Sequence, residues 1–314
     1  MLIDLVPSFL EAIAAPDPID GYRRYFQEHQ AVLSAYWSNY ILDPDSSQAE
    51  AVIARTVAAR RDDLHALLER SDVNTIAADA LARCEDLLEI DRPVDLYLTV
   101  GVGGANAGEL VVAGRGIAFL CLEHFTGHPN PDTYGLGLSP DLIPLWIGHE
   151  LAHTVRYTSP ASESELARII AEAGGTYNCW ESSSRATLRE MLVNEGLAVA
   201  ASRATAPGFE PQQYLGYGSR QYRRLRELEA FLRRAIVEEL DQTGIGYRLR
   251  YLGGGTKPST RQLAGKALPE RSGYYLGHRL VESHVERVGI AAALRASAET
   301  CLETDRQSME AQSA

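Results

Sequence analysis

The hydrophobic residues of the first third of the chain recur every three to four positions, which is the period of α-helices. The pattern runs from about Ile19 to Ile90, with breaks near "LDPDSS" and "RSDVNT". Within it, Ile53 and Val57 lie on one predicted helical face, and Ile76 and Ala80 lie on another. We therefore expect residues 1–92 to form an N-terminal helical region, most simply a packing scaffold without chemistry of its own.

After Pro93 the pattern changes to the alternation that is typical of half-buried strands. "PVDLYLTV" alternates apolar and polar positions, and "LVVAG" and "RGIAFLCLEHF" are two more strand-like runs. The glycine-rich "GVGGANAGE" between them leads into a strand instead of a helix, so we expect a loop and not a phosphate-binding turn. These runs predict a small, mostly antiparallel sheet.

Helical periodicity returns in the second half of the chain. Ser139, Pro140 and Asp141 are typical of a helix start, and we expect this helix to cover residues 140 to about 157, with Pro144 disturbing its first turns. Further helices are predicted at about 162–173, 184–204, 218–241 and, after "GGGTKPST", 274–298. The resulting fold class is a helix-rich α+β protein with an N-terminal region (1–92), a main domain (93–302) and a polar tail (303–314).

Composition and charge exclude several classes of protein. Of the 314 residues, 45% are hydrophobic and 23% charged, which is typical of a folded domain. The net charge is −12 and basic residues alternate with acidic ones, so we expect no nucleic-acid partner. The chain has no long apolar run, no basic segment preceding an apolar N-terminus and only scattered cysteines, so we expect a cytoplasmic protein without a membrane partner.

The candidate chemistry lies in "WIGHELAHTVRY", within the predicted helix 140–157. Residues four apart on a helix are offset by about 40° and about 6 Å, so His149 and His153 project from the same face and can bind one metal ion. Glu150 is rotated by about 100°, which lets its carboxylate reach a metal-bound water without ligating the metal. Zinc, one ion per chain, is the expected cofactor because it accepts nitrogen and oxygen ligands and keeps one position for water.

Two histidines leave the zinc site incomplete. The best third ligand is Glu195 in "MLVNEGLAVAAS", because a carboxylate in an apolar helix is unfavourable unless it is paired or coordinated. Two alternatives stay open: Glu195 pairs with an arginine, or Glu190 on the same helix is the ligand. The histidines and Glu150 could also form a solvated polar stripe.

An HExxH helix followed by a helix with a glutamate in "NEGLA" resembles the gluzincin metallopeptidases. The link between His153 and Glu195 is about twice as long as in many gluzincins. This longer link, the strand run before the motif and the later "SGYYLGHRLVESH" are more similar to the YjaZ-like family of predicted zinc-dependent proteases. The resemblance covers roughly residues 93–290 and implies a zincin-like catalytic core, with the site between the two motif helices.

The resemblance and the chemistry together assign roles to these residues. His149, His153 and Glu195 would hold zinc, and Glu150 would transfer the water's proton to the leaving amine. Tyr274 is the first candidate to stabilise the oxyanion, followed by Tyr275 and His278, although these residues could simply pack the start of a helix. Thr154 and Asn194 could orient the ligands.

The expected partner is a peptide or protein substrate. The resemblance suggests that residues 115–125 bind it as an extended strand, although a plain core strand would show the same pattern. His124 and His128 are expected to be surface histidines.

Three alternatives remain for the function as a whole. The protein could bind metal and recognise a peptide without cleaving it, or it could hydrolyse non-peptide amides. The third alternative is a helical interaction protein with fortuitous histidines.

Overall fold

The protein is described by a computed structural model that covers residues 1–304. The strands are β1 (Leu2–Asp4), β2 (Val94–Thr99), β3 (Ala107–Val112), β4 (Arg115–Cys121), β5 (Pro129–Asn130), β6 (Gly135–Leu136), β7 (Gln262–Leu263) and β8 (Lys266–Ala267). The predicted polar tail, 303–314, lies almost wholly outside the described residues.

Helices dominate the described chain. They are α1 (Val6–Ile13), α2 (Pro18–Glu28), α3 (Gln30–Tyr40), α4 (Ala49–Ala58), α5 (Asp62–Arg70), α6 (Val73–Leu87), α7 (Ile143–Thr158), α8 (Glu165–Glu172), α9 (Cys179–Arg185), α10 (Leu188–Thr205), α11 (Ser219–Ile236), α12 (Ile245–Tyr251), α13 (Ser272–Val288) and α14 (Ile290–Arg295). Residues 298–304 are also helical. The prediction of a helix-rich α+β protein is confirmed.

The main sheet has four strands in the order β1-β2-β4-β3. β1 and β4 both run parallel to β2, and only β3 is antiparallel to its neighbour. The prediction of a mostly antiparallel sheet is therefore wrong. Alternation indicates which face a residue occupies, but it does not indicate the direction of the neighbouring strand.

Strand β4 lies inside the sheet, because it pairs with β2 on one side and with β3 on the other. Its backbone hydrogen bonds are thus already made, so residues 115–121 form the plain core strand that the sequence left open, without free backbone groups for a peptide. β1 and β3 are the two edge strands of the sheet.

The helix that carries the two histidines begins as its sequence predicts. The Ser139 side chain accepts a hydrogen bond from the Asp141 backbone N–H, a 3₁₀ turn follows, and the regular helix α7 starts at Ile143, next to Pro144. α7 packs against β3 and β4 and against α10, which in turn packs against α13. α7, α10 and α13 therefore form the framework of the site.

The N-terminal helices share one continuous hydrophobic core with this framework. α6 packs against α7, and β1 belongs to the main sheet. Buried apolar residues from Leu5 to Leu302 form a single cluster. The division at residue 92 stays a prediction.

Within residues 1–304, no helix combines the length and apolarity needed to cross a membrane.

Candidate metal centre

α7 and α10 bring three ligand atoms together. His149 Nε2 lies 3.4 Å from Glu195 Oε2, and His153 Nε2 lies 3.6 Å from the same oxygen. The two imidazoles project from one face of α7, and all three side chains are buried. These residues are thus a group that could hold one metal ion.

The geometry of these atoms fits zinc. Ligands about 2.0–2.2 Å from a tetrahedral ion are separated by about 3.3–3.6 Å, which agrees with the two measured distances. Glu195 Oε2 is buried without a hydrogen-bond partner among the described residues. Since a buried carboxylate oxygen without a partner is unfavourable, a cation at this point would resolve the deficit.

The electrostatics of the site favour a bound cation. Burial would raise the pKa of Glu195, but the two adjacent imidazoles lower it below its ordinary value. Burial would lower the pKa of His153, but the charges of Glu109 and Glu195 outweigh burial and raise this pKa to about 10. The carboxylates therefore hold a positive charge at the site, and zinc could replace the proton on His153.

Glu150 lies beside the three ligands without belonging to them. Its carboxylate, that of Glu109 and the His153 imidazole form a second close group. Burial and the neighbouring charge of Glu109 raise the pKa of Glu150 well above its ordinary value. A carboxyl group with a raised pKa, adjacent to a metal site, can accept and return a proton at neutral pH.

Glu109, on β3, is a site residue that sequence reasoning missed. Its Oε2 accepts a hydrogen bond from the Tyr40 hydroxyl (2.8 Å), and its Oε1 accepts one from the Tyr157 hydroxyl (3.1 Å). Asn194 Nδ2 donates to the Tyr157 hydroxyl (3.0 Å), and the Tyr157 ring stacks on His153. Asn194 therefore contacts the tyrosine that stacks on His153. The only signal in the sequence was a carboxylate within the apolar run "AGELVV".

The other predicted candidates near the ligands have partners elsewhere. Glu190 forms a buried ion pair with Arg156 (2.9 Å). The carboxylate on this helix that pairs with an arginine is therefore Glu190 and not Glu195. The Thr154 hydroxyl donates to the Leu151 carbonyl, and no hydrogen bond joins it to His149, His153 or Glu195 among the described residues.

Of the three candidates on α13, only Tyr274 lies at the metal centre. Its ring stacks on the His149 ring at 6.2 Å between centroids. Tyr275 is the next residue on the helix and projects in a different direction, where its hydroxyl donates to Glu229. His278, one turn further along, places Nε2 2.9 Å from the Arg203 guanidinium, and burial lowers its pKa to about 3. The structure therefore does not bring Tyr275 or His278 to the ligands.

Residues 176–303 match a family described as "Predicted Zn-dependent protease (DUF2268)". The matched segment contains Glu195 and Tyr274, whereas the two histidines and Glu150 precede it. This similarity supports a zinc-dependent protease at a coarse level. No curated protein and no solved structure matches the chain.

The three ligands open into a cavity of about 810 Å³. The glycine-rich loop 103–107, Glu109, Arg248, Arg271 and Tyr274 all line this cavity. This volume falls in the range typical of ligand sites, so the cavity can hold a substrate against the metal centre.

One histidine in the cavity wall differs from the sequence prediction. His124 was expected at the surface, but it is buried and lines the cavity, because a 3₁₀ turn follows β4 directly. Burial lowers its pKa to about 4. His128 is exposed, as predicted.

Proposed function

We propose that the protein is a zinc-dependent metallopeptidase of gluzincin type, with one zinc ion held by His149, His153 and Glu195. The observation that carries this proposal is the approach of both imidazole Nε2 atoms to the same buried, unpartnered oxygen of Glu195. The similarity of residues 176–303 to a family of zinc-dependent proteases supports it.

The residues around the ligands supply the remaining chemistry. A zinc ion bound here would lower the pKa of a water molecule and polarise the scissile carbonyl. Glu150 accepts the proton of the attacking water on its carboxylate and passes it to the leaving nitrogen. The Tyr274 hydroxyl donates a hydrogen bond to the carbonyl oxygen as negative charge develops on it. Burial and the nearby charge of Glu195 raise the pKa of Tyr274, which keeps this hydroxyl protonated.

The peptide substrate would lie along β3, the edge strand nearest the metal centre. One side of β3 pairs with β4, while Ala107 and Glu109 line the cavity. The Tyr40 hydroxyl bonds the Glu109 N–H and C=O, and the Val111 carbonyl accepts the Tyr177 N–H, so an extended peptide would add by backbone hydrogen bonds only at the Ala107 end of β3. This replaces residues 115–125 as the proposed site of strand addition.

Glu150→Gln tests the mechanism. The variant should retain about one zinc per chain, because Glu150 is not a ligand, and its peptide hydrolysis should fall by about 100-fold or more. Metal analysis and digestion of a broad peptide library measure the two properties. Glu286→Gln, at an exposed position of α13, is the matched control and should behave as the wild type.

Two outcomes would contradict the proposal. If Glu150→Gln cleaved peptides as fast as the wild type, the assigned base would be wrong. A zinc-loaded wild-type protein that cleaved no peptide would instead favour a metal-containing recognition protein.

A further inference from the structure

Arg248 and Arg271 line the cavity, and neither has a carboxylate partner among residues 1–304. Arg248 donates to the Ser183 hydroxyl (3.0 Å), and the Arg271 guanidinium lies over the Tyr274 ring at 4.3 Å from the centroid. By contrast, the fully buried Arg156 is neutralised by Glu190. The two cavity arginines therefore offer hydrogen-bond donors and positive charge to a ligand.

The backbone holds Arg271 in a restrained position. Its φ of 54° places it in the left-handed region, which is unfavourable for a residue with a side chain and is often found at functional sites. The Tyr217 hydroxyl donates to its carbonyl oxygen. The adjacent Glu270 does not neutralise it, because that carboxylate pairs with Arg261 (3.4 Å) and accepts the Gly255 N–H (3.2 Å).

The charged residues that line the cavity indicate which charge a substrate group bound there would carry. Glu109, Glu150 and Glu195 are its carboxylates, and Arg248 and Arg271 are its arginines. With a zinc ion bound, the charges of the ion and the two arginines would exceed those of the three carboxylates, so the cavity would favour an anionic group of the substrate.

We propose that Arg248 and Arg271 bind a carboxylate of the substrate close to the scissile bond. A guanidinium presents paired donors that match a carboxylate, and the group could be either the C-terminal carboxylate or an Asp or Glu side chain. This restricts cleavage to peptide bonds near such a group. The inference rests on the proposed peptidase function and names the substrate class of the same site.

Cleavage mapping with a defined peptide pool tests the inference. The pool is prepared with free C-termini and with amidated C-termini, and each preparation contains matched Asp/Glu and Asn/Gln sequences. Loss of cleavage on amidation identifies the C-terminal carboxylate, whereas loss on the Asn/Gln change identifies the side chain. Preferred peptides should show kcat/KM about 10- to 100-fold above their uncharged partners. Equal cleavage of all four forms would overturn the proposal.

Arg248→Gln and Arg271→Gln should each reduce this preference towards unity, chiefly through a higher KM. Arg250→Gln is the matched control, because Arg250 also lies on α12 but pairs with Glu239 (2.5 Å). The control should retain the preference of the wild type. A preference that survives in both cavity variants would also overturn the proposal.

A binding measurement separates failure of this inference from failure of the peptidase function. Zinc-loaded Glu150→Gln protein is equilibrated with the same synthetic pool, and the retained peptides are quantified by mass spectrometry. We expect about 10-fold enrichment of peptides that carry the recognised carboxylate. Such enrichment would support the carboxylate site even if the wild-type protein cleaved nothing. Equal retention, or none, would refute it.

Discussion

At the scale of single residues, the surroundings of a carboxylate set its role. Glu190 and Glu195 lie on the same buried helix, α10. Glu190 faces Arg156 and forms an ion pair, whereas Glu195 faces two imidazoles and keeps one oxygen without a hydrogen bond. The same residue type therefore stabilises the core at one position and offers a metal ligand at the other.

Glu123 is another buried carboxyl group, located in the 3₁₀ turn after β4. Its Oε2 accepts the Gly101 N–H (3.0 Å), while its Oε1 has no hydrogen-bond partner among the described residues. Burial, the main cause, raises its pKa to about 7. The folded protein thus holds this proton more tightly than the unfolded chain does. The stability that Glu123 contributes is fully present below about pH 4.5 and is lost as pH rises through about 7.

We expect Glu123→Gln to weaken the pH dependence of stability. As pH rises from about 5 to about 8, the free energy of unfolding should decrease for both proteins. The decrease should be smaller for the variant, by up to about 3 kcal/mol. Urea denaturation at both pH values measures this difference. Glu286→Gln, which removes an exposed carboxylate, should keep the slope of the wild type. Identical slopes for Glu123→Gln and the wild type would contradict the assignment.

At the scale of elements, the site depends on the close approach of α10 and α13. A Cβ added to Gly277 would overlap the Leu192 carbonyl oxygen, and one added to Gly196 would overlap the Gly277 backbone. The two glycines let the helix backbones touch, next to Glu195 on one helix and near Tyr274 on the other. This contact explains why glycine occurs in both "NEGLA" and "GYYLG".

Gly277→Ala should separate these helices. We expect its free energy of unfolding to fall by about 1–3 kcal/mol, because the clash involves backbone that cannot rotate away. Its zinc affinity should also fall as Glu195 shifts. Gly246→Ala on α12 is the matched control, since an added Cβ there meets nothing within 4 Å and alanine favours a helix. Denaturation and zinc titration measure the stability and the zinc affinity of both variants. If Gly277→Ala were as stable as the wild type, the close contact between the two helices would not require glycine at this position.

At the scale of the whole molecule, the N-terminal region contributes to the core that supports the metal centre. β1 pairs with β2, and α6 packs against α7, the helix that carries both histidines. Removing residues 1–92 would expose these apolar contacts. The helices predicted as a scaffold therefore stabilise the site without contributing any of the three ligands.

A fragment of residues 93–302 should consequently lack a cooperative thermal transition. The full-length chain, which retains β1 and α6, is the reference and should unfold cooperatively. Circular dichroism during heating measures both proteins. A cooperative transition of the fragment, together with zinc binding, would show instead that the region after residue 92 folds as an independent domain.

The local parts of this structure could be predicted from the sequence. Helical periodicity indicated α4 and α6, the start signals at Ser139 and Pro140 located α7, and the four-residue spacing placed His149 and His153 on one face, because all of these follow from the geometry of a single helix. The apolar surroundings of Glu195 also indicated an unusual carboxylate, since burial without a partner is unfavourable whatever the fold.

Only the tertiary structure decided the rest. The strand order, the position of Glu109, the choice of Tyr274 over Tyr275, and the presence of Arg248 and Arg271 in the cavity depend on contacts between distant segments. No local periodicity encodes such contacts, because they arise when separate helices and strands pack around one core. The sequence by itself therefore determined a helix with two histidines on one face, and the packing of the remaining chain determined what surrounds them.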